Sequence, residues 1–192
     1  MDSGGQYLYG TTDVTRTLSL DVYSYKIKNI FTRVLKGHIA VASFKLNKNS
    51  YGDKIDQSAR KFLRDINLDY PHGTGHGVGY FGNVHEGPQA ISRGNKVKFK
   101  EGMITSNEPG YYKKGHFGIR IENLVYVKRT KDKLQFEDLT LVPIDTTLIE
   151  KKLLTSSERH WLNKYHQRVF VCLKKYMNKL ELTQLKLACS DI

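Results

Sequence analysis

Cysteine is scarce in this 192-residue sequence: Cys172 and Cys189 are its only two, and both lie near the C-terminal end. Two are too few for a disulfide framework and fit free thiols in a reducing compartment. Only four prolines occur, and no Pro-rich linker, low-complexity block or internal repeat divides the chain. No apolar run approaches the ~20 residues that a bilayer-spanning helix needs. Met1-Asp2-Ser3-Gly4 offers neither a basic n-region nor an apolar h-region. A cytoplasmic protein with no membrane partner is therefore expected. Acids are scarce as well, 19 against 31 Lys and Arg, which gives a formal charge of +12. The positive residues are scattered (Lys26, Lys28, Lys45, Lys48, Lys54, Lys96, Lys98, Lys100, then a lysine-rich tail), and no stripe alternates Arg with aromatics. That pattern reads as a solvated basic surface, with nucleic acid the less favoured partner.

Globular composition is what remains. Hydrophobic residues are 39% and charged residues 26%, and twelve Tyr and eight Phe supply material for one core. The first twenty residues alternate as strands, punctuated by Gly4-Gly5 and Gly10, which predicts a β-hairpin with Asp2 on one strand and Asp13 on the next. Ile27, Ile30, Phe31, Val34, Leu35, Ile39 and Val41 recur at helical spacing, predicting a helix over 23–42. Ile55, Ala59, Phe62, Leu63 and Ile66 predict a second over 53–67. A glycine-rich loop or irregular strand follows at 71–79, and Gly87-Pro88 closes a further turn. Residues 103–108 and 118–127 read as strands with Pro109-Gly110 as the turn between them, and 139–144 as another short strand. Thr155 with Glu158 fits a capping box that opens a helix with Trp161, Leu162, Tyr165, Val169 and Leu173 on its apolar face. Beyond Met177 the polar, lysine-rich tail is expected to fray.

The chemistry concentrates in a few places. His72, His76 and His85 lie around Gly73, Gly75, Gly77 and Gly79. A lone histidine is usually structural. Three among glycines, which let backbone approach a ligand closely, suit metal ligation or proton transfer. Asp2 and Asp13 sit on the neighbouring strands of the hairpin, and Glu108 ends a strand before Pro109-Gly110. Glu122 is flanked by isoleucines in Gly118-Ile119-Arg120-Ile121-Glu122-Asn123, where an unpaired carboxylate is costly to bury. Arg120 points to the same strand face as Glu122 and is a candidate to orient its carboxylate from behind; a plain buried Arg–Glu pair is the alternative. Four carboxylates and one imidazole are suitable material for two divalent ions about 3.5 Å apart that share a hydroxide. Oxygen-rich ligation with no cysteine nearby favours harder ions such as manganese.

Six strings carry a resemblance: Asp2-Ser3-Gly4-Gly5-Gln6-Tyr7, Gly10-Thr11-Thr12-Asp13-Val14-Thr15-Arg16-Thr17, His72-Gly73-Thr74-Gly75-His76-Gly77-Val78-Gly79, Asn83-Val84-His85-Glu86-Gly87-Pro88, Asn107-Glu108-Pro109-Gly110-Tyr111-Tyr112 and Gly118-Ile119-Arg120-Ile121-Glu122-Asn123. In this order and spacing, from Asp2 to about His166, the sequence resembles the pita-bread metallopeptidases, and among them the aminopeptidase P (Xaa-Pro aminopeptidase) family. The resemblance implies an α+β pita-bread (creatinase/aminopeptidase) fold. It implies that Asp2, Asp13, His76, Glu108 and Glu122 ligate two Mn2+ ions, with Zn2+ or Co2+ as other candidates. Asp13 and Glu122 would bridge the ions, Asp2 would bind one of them bidentately, and His76 and Glu108 would bind the other. His72 and His85 would contact substrate and handle protons, and Glu108 would accept the proton of the nucleophilic water. The implied reaction is hydrolysis of the first bond of a peptide with proline in second place, through a bridging hydroxide.

The family's catalytic domain begins well before its first ligand aspartate, which here is residue two. The expected fold therefore lacks its first αβ half, together with a further substrate-contacting histidine. Residues 1–150 read as the partial catalytic domain and 151–192 as a C-terminal helical extension. Prolidase and methionine aminopeptidase share the implied fold and ligands, but the His72–Gly79 and Asn83–Pro88 strings look more like aminopeptidase P. From another class, a non-catalytic pita-bread module that binds protein or RNA is the competing reading, though it gives no reason to keep all five ligand positions. Trp161 and Tyr165 are candidates for a homodimer contact, against the simpler expectation that they pack on their own domain.

Overall fold

The alternation at the N-terminus becomes a two-stranded antiparallel hairpin, β1 (Asp2–Tyr7) and β2 (Gly10–Thr15), in the computed structural model, which describes residues 1–47 and 49–192. Lys48, counted above among the scattered positive residues, lies outside the described residues. The register pairs Asp2 with Thr15 and Gly4 with Asp13. Since side chains alternate faces along a strand, Asp2, Asp13 and Thr15 share one face of the hairpin.

The helical spacings hold, with shifted ends. Helix α1 is Tyr25–Ala42, and α2 is Gly52–Arg64, closed where Asn67 takes a positive φ of 57°. Helix α1 buries Ile30, Phe31, Val34, Leu35 and Ile39 against Ile119, Ile121, Ile144, Leu148, Leu162, Tyr165 and Val169. A second cluster joins Val41, Ile55 and Ala59 to Ile91, Phe99, Val125, Val127 and Phe136. Apolar burial on this scale supplies the main driving force for assembly.

The middle of the chain is more broken than the sequence suggests. Short strands β3 (Gly75–His76) and β4 (Ala90–Ile91) pair with each other, and β3 continues into a bridge between Gly77 and Thr105. The glycines here are required by close approach: a Cβ on Gly75 would lie 2.0 Å from the Ser106 carbonyl oxygen, and one on Gly77 2.0 Å from that of Glu86. Strand β5 (Ile104–Asn107) matches its expectation, but Pro109-Gly110 is not the turn. Gly110 opens β6 (Gly110–Lys113), which pairs with β7 (Phe117–Arg120) around Gly115 at φ +73°. The strand expected over 118–127 is two strands, β7 and β8 (Asn123–Thr130), interrupted at Ile121-Glu122. A three-stranded antiparallel sheet then runs β5–β8–β9, with β9 at Lys133–Asp138. The strand expected over 139–144 has no ladder, because its carbonyls are taken by side chains instead.

Thr155 and Glu158 form the expected capping box of α3 (Ser156–Leu173). The expected frayed tail is instead a helix, α4 (Lys179–Ala188), opened by a second capping box between Asn178 and Glu181 and anchored through buried Leu185. Trp161 and Tyr165 stack on each other at 5.4 Å, and Tyr165 is buried in the chain's own core. No helix among the described residues is long and apolar enough to cross a membrane.

One buried cation ties these pieces together. Arg16, 2% exposed, follows β2 and makes six hydrogen bonds: to the carbonyls of Thr15, Glu122, Val142 and Pro143, to Asn123 Oδ1 and to the Tyr165 hydroxyl. The guanidinium fork supplies donors in several directions at once, which an ammonium cannot. Replacing Arg16 by Met should cost on the order of 3–5 kcal/mol, because the buried carbonyls lose their partner. Arg16→Lys should recover less than half of that loss, and urea unfolding monitored by circular dichroism measures both.

Candidate metal centre

The interruption at Ile121-Glu122 is the starting point of the site. Two residues have left the β ladder, yet their backbone groups remain paired: Glu122 N–H donates to the Thr15 carbonyl at 3.0 Å, and its carbonyl accepts from Arg16 at 2.6 Å. This frees the buried Glu122 side chain to face the hairpin. Glu108 follows the last residue of β5, and its N–H donates to the Thr74 carbonyl at 2.8 Å. His76 ends β3.

These elements bring all five candidate ligands together. Ligand atoms of Asp2, Asp13 and Glu122 lie within 4.8 Å of one another, as do those of His76, Glu108 and Glu122, and those of Asp13, His76 and His85. Asp13, His76 and Glu122 each belong to two of the three groups, which therefore form one continuous cluster. His76 Nδ1–H donates to the Gly77 carbonyl at 3.0 Å, so Nε2 is the nitrogen left to face the centre. Nε2 lies 3.5 Å from Asp13 and 3.3 Å from Glu108. A backbone bond that fixes the imidazole tautomer this way is how a ligand nitrogen is held ready for a metal.

The electrostatics point the same way. Burial above all, with the charges of Glu108 and Asp13, raises the Glu122 carboxyl to about 7 against the pull of Thr15 and Arg120. Burial also raises Glu108, against the pull of His76, Ser106 and Arg120. Burial lowers His76, but a hydrogen bond to Asp13, the Gly77 carbonyl and Glu108 hold it above its usual value. Carboxylates crowded into a partly dry cluster with too little positive charge are matched by divalent cations, and oxygen donors with one imidazole suit hard or borderline ions. The residues present therefore fit a metal centre.

A second layer orients the ligands. Thr15 Oγ1 donates to Glu122 Oε2 at 2.6 Å, and Ser106 Oγ donates to Glu108 Oε1 at 3.0 Å while accepting from the His76 N–H at 2.9 Å. Arg120 does not form the direct pair with Glu122 that was the alternative reading of their shared face. It binds Asp2 and reaches Glu122 only through Thr15 Oγ1, at 2.9 Å from its Nε. The reason is the break after Arg120, which takes Glu122 out of the same strand. Arg120 also donates to the Tyr112 hydroxyl at 3.1 Å, which in turn donates to His72 Nε2 at 2.8 Å, since His72 Nδ1–H is spent on the Gly73 carbonyl. His85 sits edge-on to His76, ring centroids 4.0 Å apart, on the wall of a groove of about 490 Å³ that also touches Asp2, Asp13, Gly5 and Gly82.

Sequence reasoning passed over Thr15, Ser106 and Tyr112. Thr15 was findable, because it lies two residues after Asp13 and so shares its strand face. Tyr112 was not, because Tyr111 and Tyr112 look alike until strand alternation packs Tyr111 against Phe117 and turns Tyr112 to the site.

The raised carboxyls make the metal-free chain pH-dependent. The folded state holds the Glu122 proton more tightly than the unfolded chain does. Its contribution to stability is therefore full below pH 4.5 and lost as pH rises through about 7. In metal-free buffer the difference in stability between wild type and Glu122→Gln should shift by on the order of 2 kcal/mol between pH 5 and 8, in favour of the variant at pH 8. Thermal melts of both proteins across that range test it.

Comparison with known proteins places this geometry. A family model described as metallopeptidase family M24 matches residues 1–129, and a second, the C-terminal region of peptidase M24, matches 132–192. Over 180 residues the chain is 50% identical to a probable Xaa-Pro aminopeptidase P from Coprinopsis cinerea, covering 88% of this chain and 29% of that protein. An X-prolyl aminopeptidase from Caenorhabditis elegans, described as a cytosolic enzyme with a di-nuclear active site, superposes with a TM-score of 0.93. The two are 40% identical, and the match covers 100% of this chain and 33% of that one. Prolidase from Pyrococcus furiosus superposes with a TM-score of 0.65 at 28% identity over 72% of this chain and 40% of that one. The chain thus spans about a third of the length of the Xaa-Pro aminopeptidases it matches. The α+β fold is the pita-bread arrangement expected from the six motifs, and the chain belongs to metallopeptidase family M24.

Proposed function

We propose that this chain is the metal-bearing portion of an Xaa-Pro aminopeptidase, which hydrolyses the first bond of a peptide with proline in second place. The convergence of Asp2, Asp13, His76, Glu108 and Glu122 around a cation-poor centre carries the reading. In it, Asp2, Asp13, His76, Glu108 and Glu122 would hold two divalent ions, with Asp13 and Glu122 shared between them. Manganese is the assigned metal, with zinc and cobalt as substitutes, because the donors are carboxylate oxygens and a single imidazole. When bound, the ions supply a nucleophile from water at neutral pH and offset negative charge on the scissile carbonyl oxygen.

The chain's own residues supply the rest. Glu108, raised by burial, accepts the proton of the attacking water, and Ser106 keeps Oε1 aimed for that transfer. His85, on the groove wall, contacts the substrate. His72, locked by Gly73 and Tyr112, presents a fixed face to it. The Asp2–Arg120–Tyr112 chain joins a metal ligand to that histidine. Residues 1–150 form the catalytic portion and 151–192 a helical extension whose Tyr165 braces Arg16. The higher similarity to an X-prolyl aminopeptidase than to prolidase, over all of the chain rather than part of it, favours longer peptides over dipeptides as substrate. A cytoplasmic location accords with the two free thiols.

Titrating manganese into metal-free protein while following melting temperature and release of the N-terminal amino acid from an Xaa-Pro peptide tests the proposal. Metal should raise the melting temperature and permit turnover, and Glu108→Gln should cut kcat by about 10²–10⁴-fold. Stabilisation without turnover would withdraw the activity from this span of chain. Salt-sensitive RNA binding that ignores metal, with no stabilisation, would favour a binding module instead.

A further inference from the structure

His38 is fully buried in α1, away from the groove, and the mechanism above does not use it. Its surroundings are unlike those of an ordinary core residue. Nδ1 lies 3.2 Å from the Ile121 carbonyl oxygen, and its own backbone carbonyl accepts from Asn107 Nδ2 at 3.0 Å. Ile121 directly precedes Glu122, and Asn107 directly precedes Glu108. The His38 ring therefore holds the backbone just before Glu122, and its backbone carbonyl holds the Asn107 side chain just before Glu108. On the neighbouring side a Cβ on the preceding Gly37 would lie 2.6 Å from the Ala59 carbonyl oxygen, so α1 is packed tightly against α2 at this point.

The Ile121 carbonyl needs this partner. At the break between β7 and β8 the carbonyls of Ile121 and Glu122 have lost their ladder donors, and Arg16 serves Glu122 while His38 serves Ile121. A carbonyl can only accept, so Nδ1 must carry the proton. Nε2 is then a bare lone pair, and it meets no hydrogen-bond partner among the described residues, with the Trp161 ring edge-on at 5.9 Å. Burial, reinforced by Arg16, lowers the ring to about 3, so it stays neutral and keeps this tautomer through the working pH range. A leucine or methionine would fill the same space more simply if filling space were the requirement.

We propose that His38 is a positioning residue for the metal centre: its ring fixes the backbone that presents Glu122, while its carbonyl anchors the Asn107 side chain next to Glu108, so that α1 sets the separation of the two glutamates. The inference rests on the two-metal reading of the cluster.

Two measurements on the full chain test it. Manganese affinity is measured by calorimetric titration for wild type, His38→Asn, His38→Gln and His38→Met. Asparagine puts an amide N–H where Nδ1–H sits, whereas glutamine puts it at the Nε2 end and methionine has none. Met and Gln should weaken binding by about 10–100-fold, and Asn should stay within about 3-fold of wild type. Met binding as tightly as wild type would overturn the positioning role alone, whereas wild type binding no manganese would overturn the two-metal reading and this role with it. The second measurement needs no variant to fold and no metal. Nitrogen-15 spectra of the imidazoles in the metal-free wild type should show His38 as the Nδ1–H tautomer, not titrating down to pH 5. An Nε2–H tautomer would overturn the proposal.

Discussion

The guanidinium of Arg16 is the interaction on which the remaining structure depends. It sits where the N-terminal hairpin, the β7–β8 break, the extended run after β9 and helix α3 meet, and it bonds to all four. Among the described residues no carboxylate hydrogen-bonds to it directly; Asp138 acts at one remove, accepting from Asn123 Nδ2 at 2.7 Å while Asn123 Oδ1 accepts from Arg16. A buried cation served mainly by neutral carbonyl oxygens is held by geometry more than by charge, which restricts where each segment can lie. Burial lowers Arg16 without discharging it, and its partners counter that effect.

The metal centre follows from this arrangement. Arg16 and His38 take the carbonyls at the β7–β8 break, Thr15 takes one oxygen of the Glu122 carboxylate, and the other is left for the centre. The resulting cluster is poorly arranged for stability by itself, because buried acids that face one another repel. That unfavourable charge balance is the physical mark of a place built for cations, with local frustration tolerated for function. The buried hydroxyls of Thr15 and Ser106 cost little once paired, and with the more exposed Tyr112 hydroxyl each fixes one ligand or one histidine.

Much of the local structure was legible in the sequence where a period or a cap was intact. The Asp2 hairpin, both early helices and the Thr155 capping box depend on neighbours within a few residues. Errors arose where distant residues replaced a ladder. The run 139–144 looks like a strand but spends carbonyls on Arg16 and Tyr165, which lie far away in sequence. The helical extension after Met177 does not fray as its lysines suggest, because Asn178 and Glu181 carry the same capping signal as Thr155 and Glu158.

The sequence by itself determined the donor inventory: four carboxylates and an imidazole in motifs whose order and spacing identify the family, free of competing cysteine. Residue type and short-range spacing suffice for that, because ligand chemistry belongs to the side chain. Only the tertiary structure decided which donors share an ion-sized space, which nitrogen of His76 faces it, and that Arg120 serves Asp2 rather than Glu122. Those facts depend on a two-residue break in a strand and on contacts such as Arg16 to Tyr165, 149 positions apart. No local pattern encodes such contacts, since their cause is the packing of the whole core.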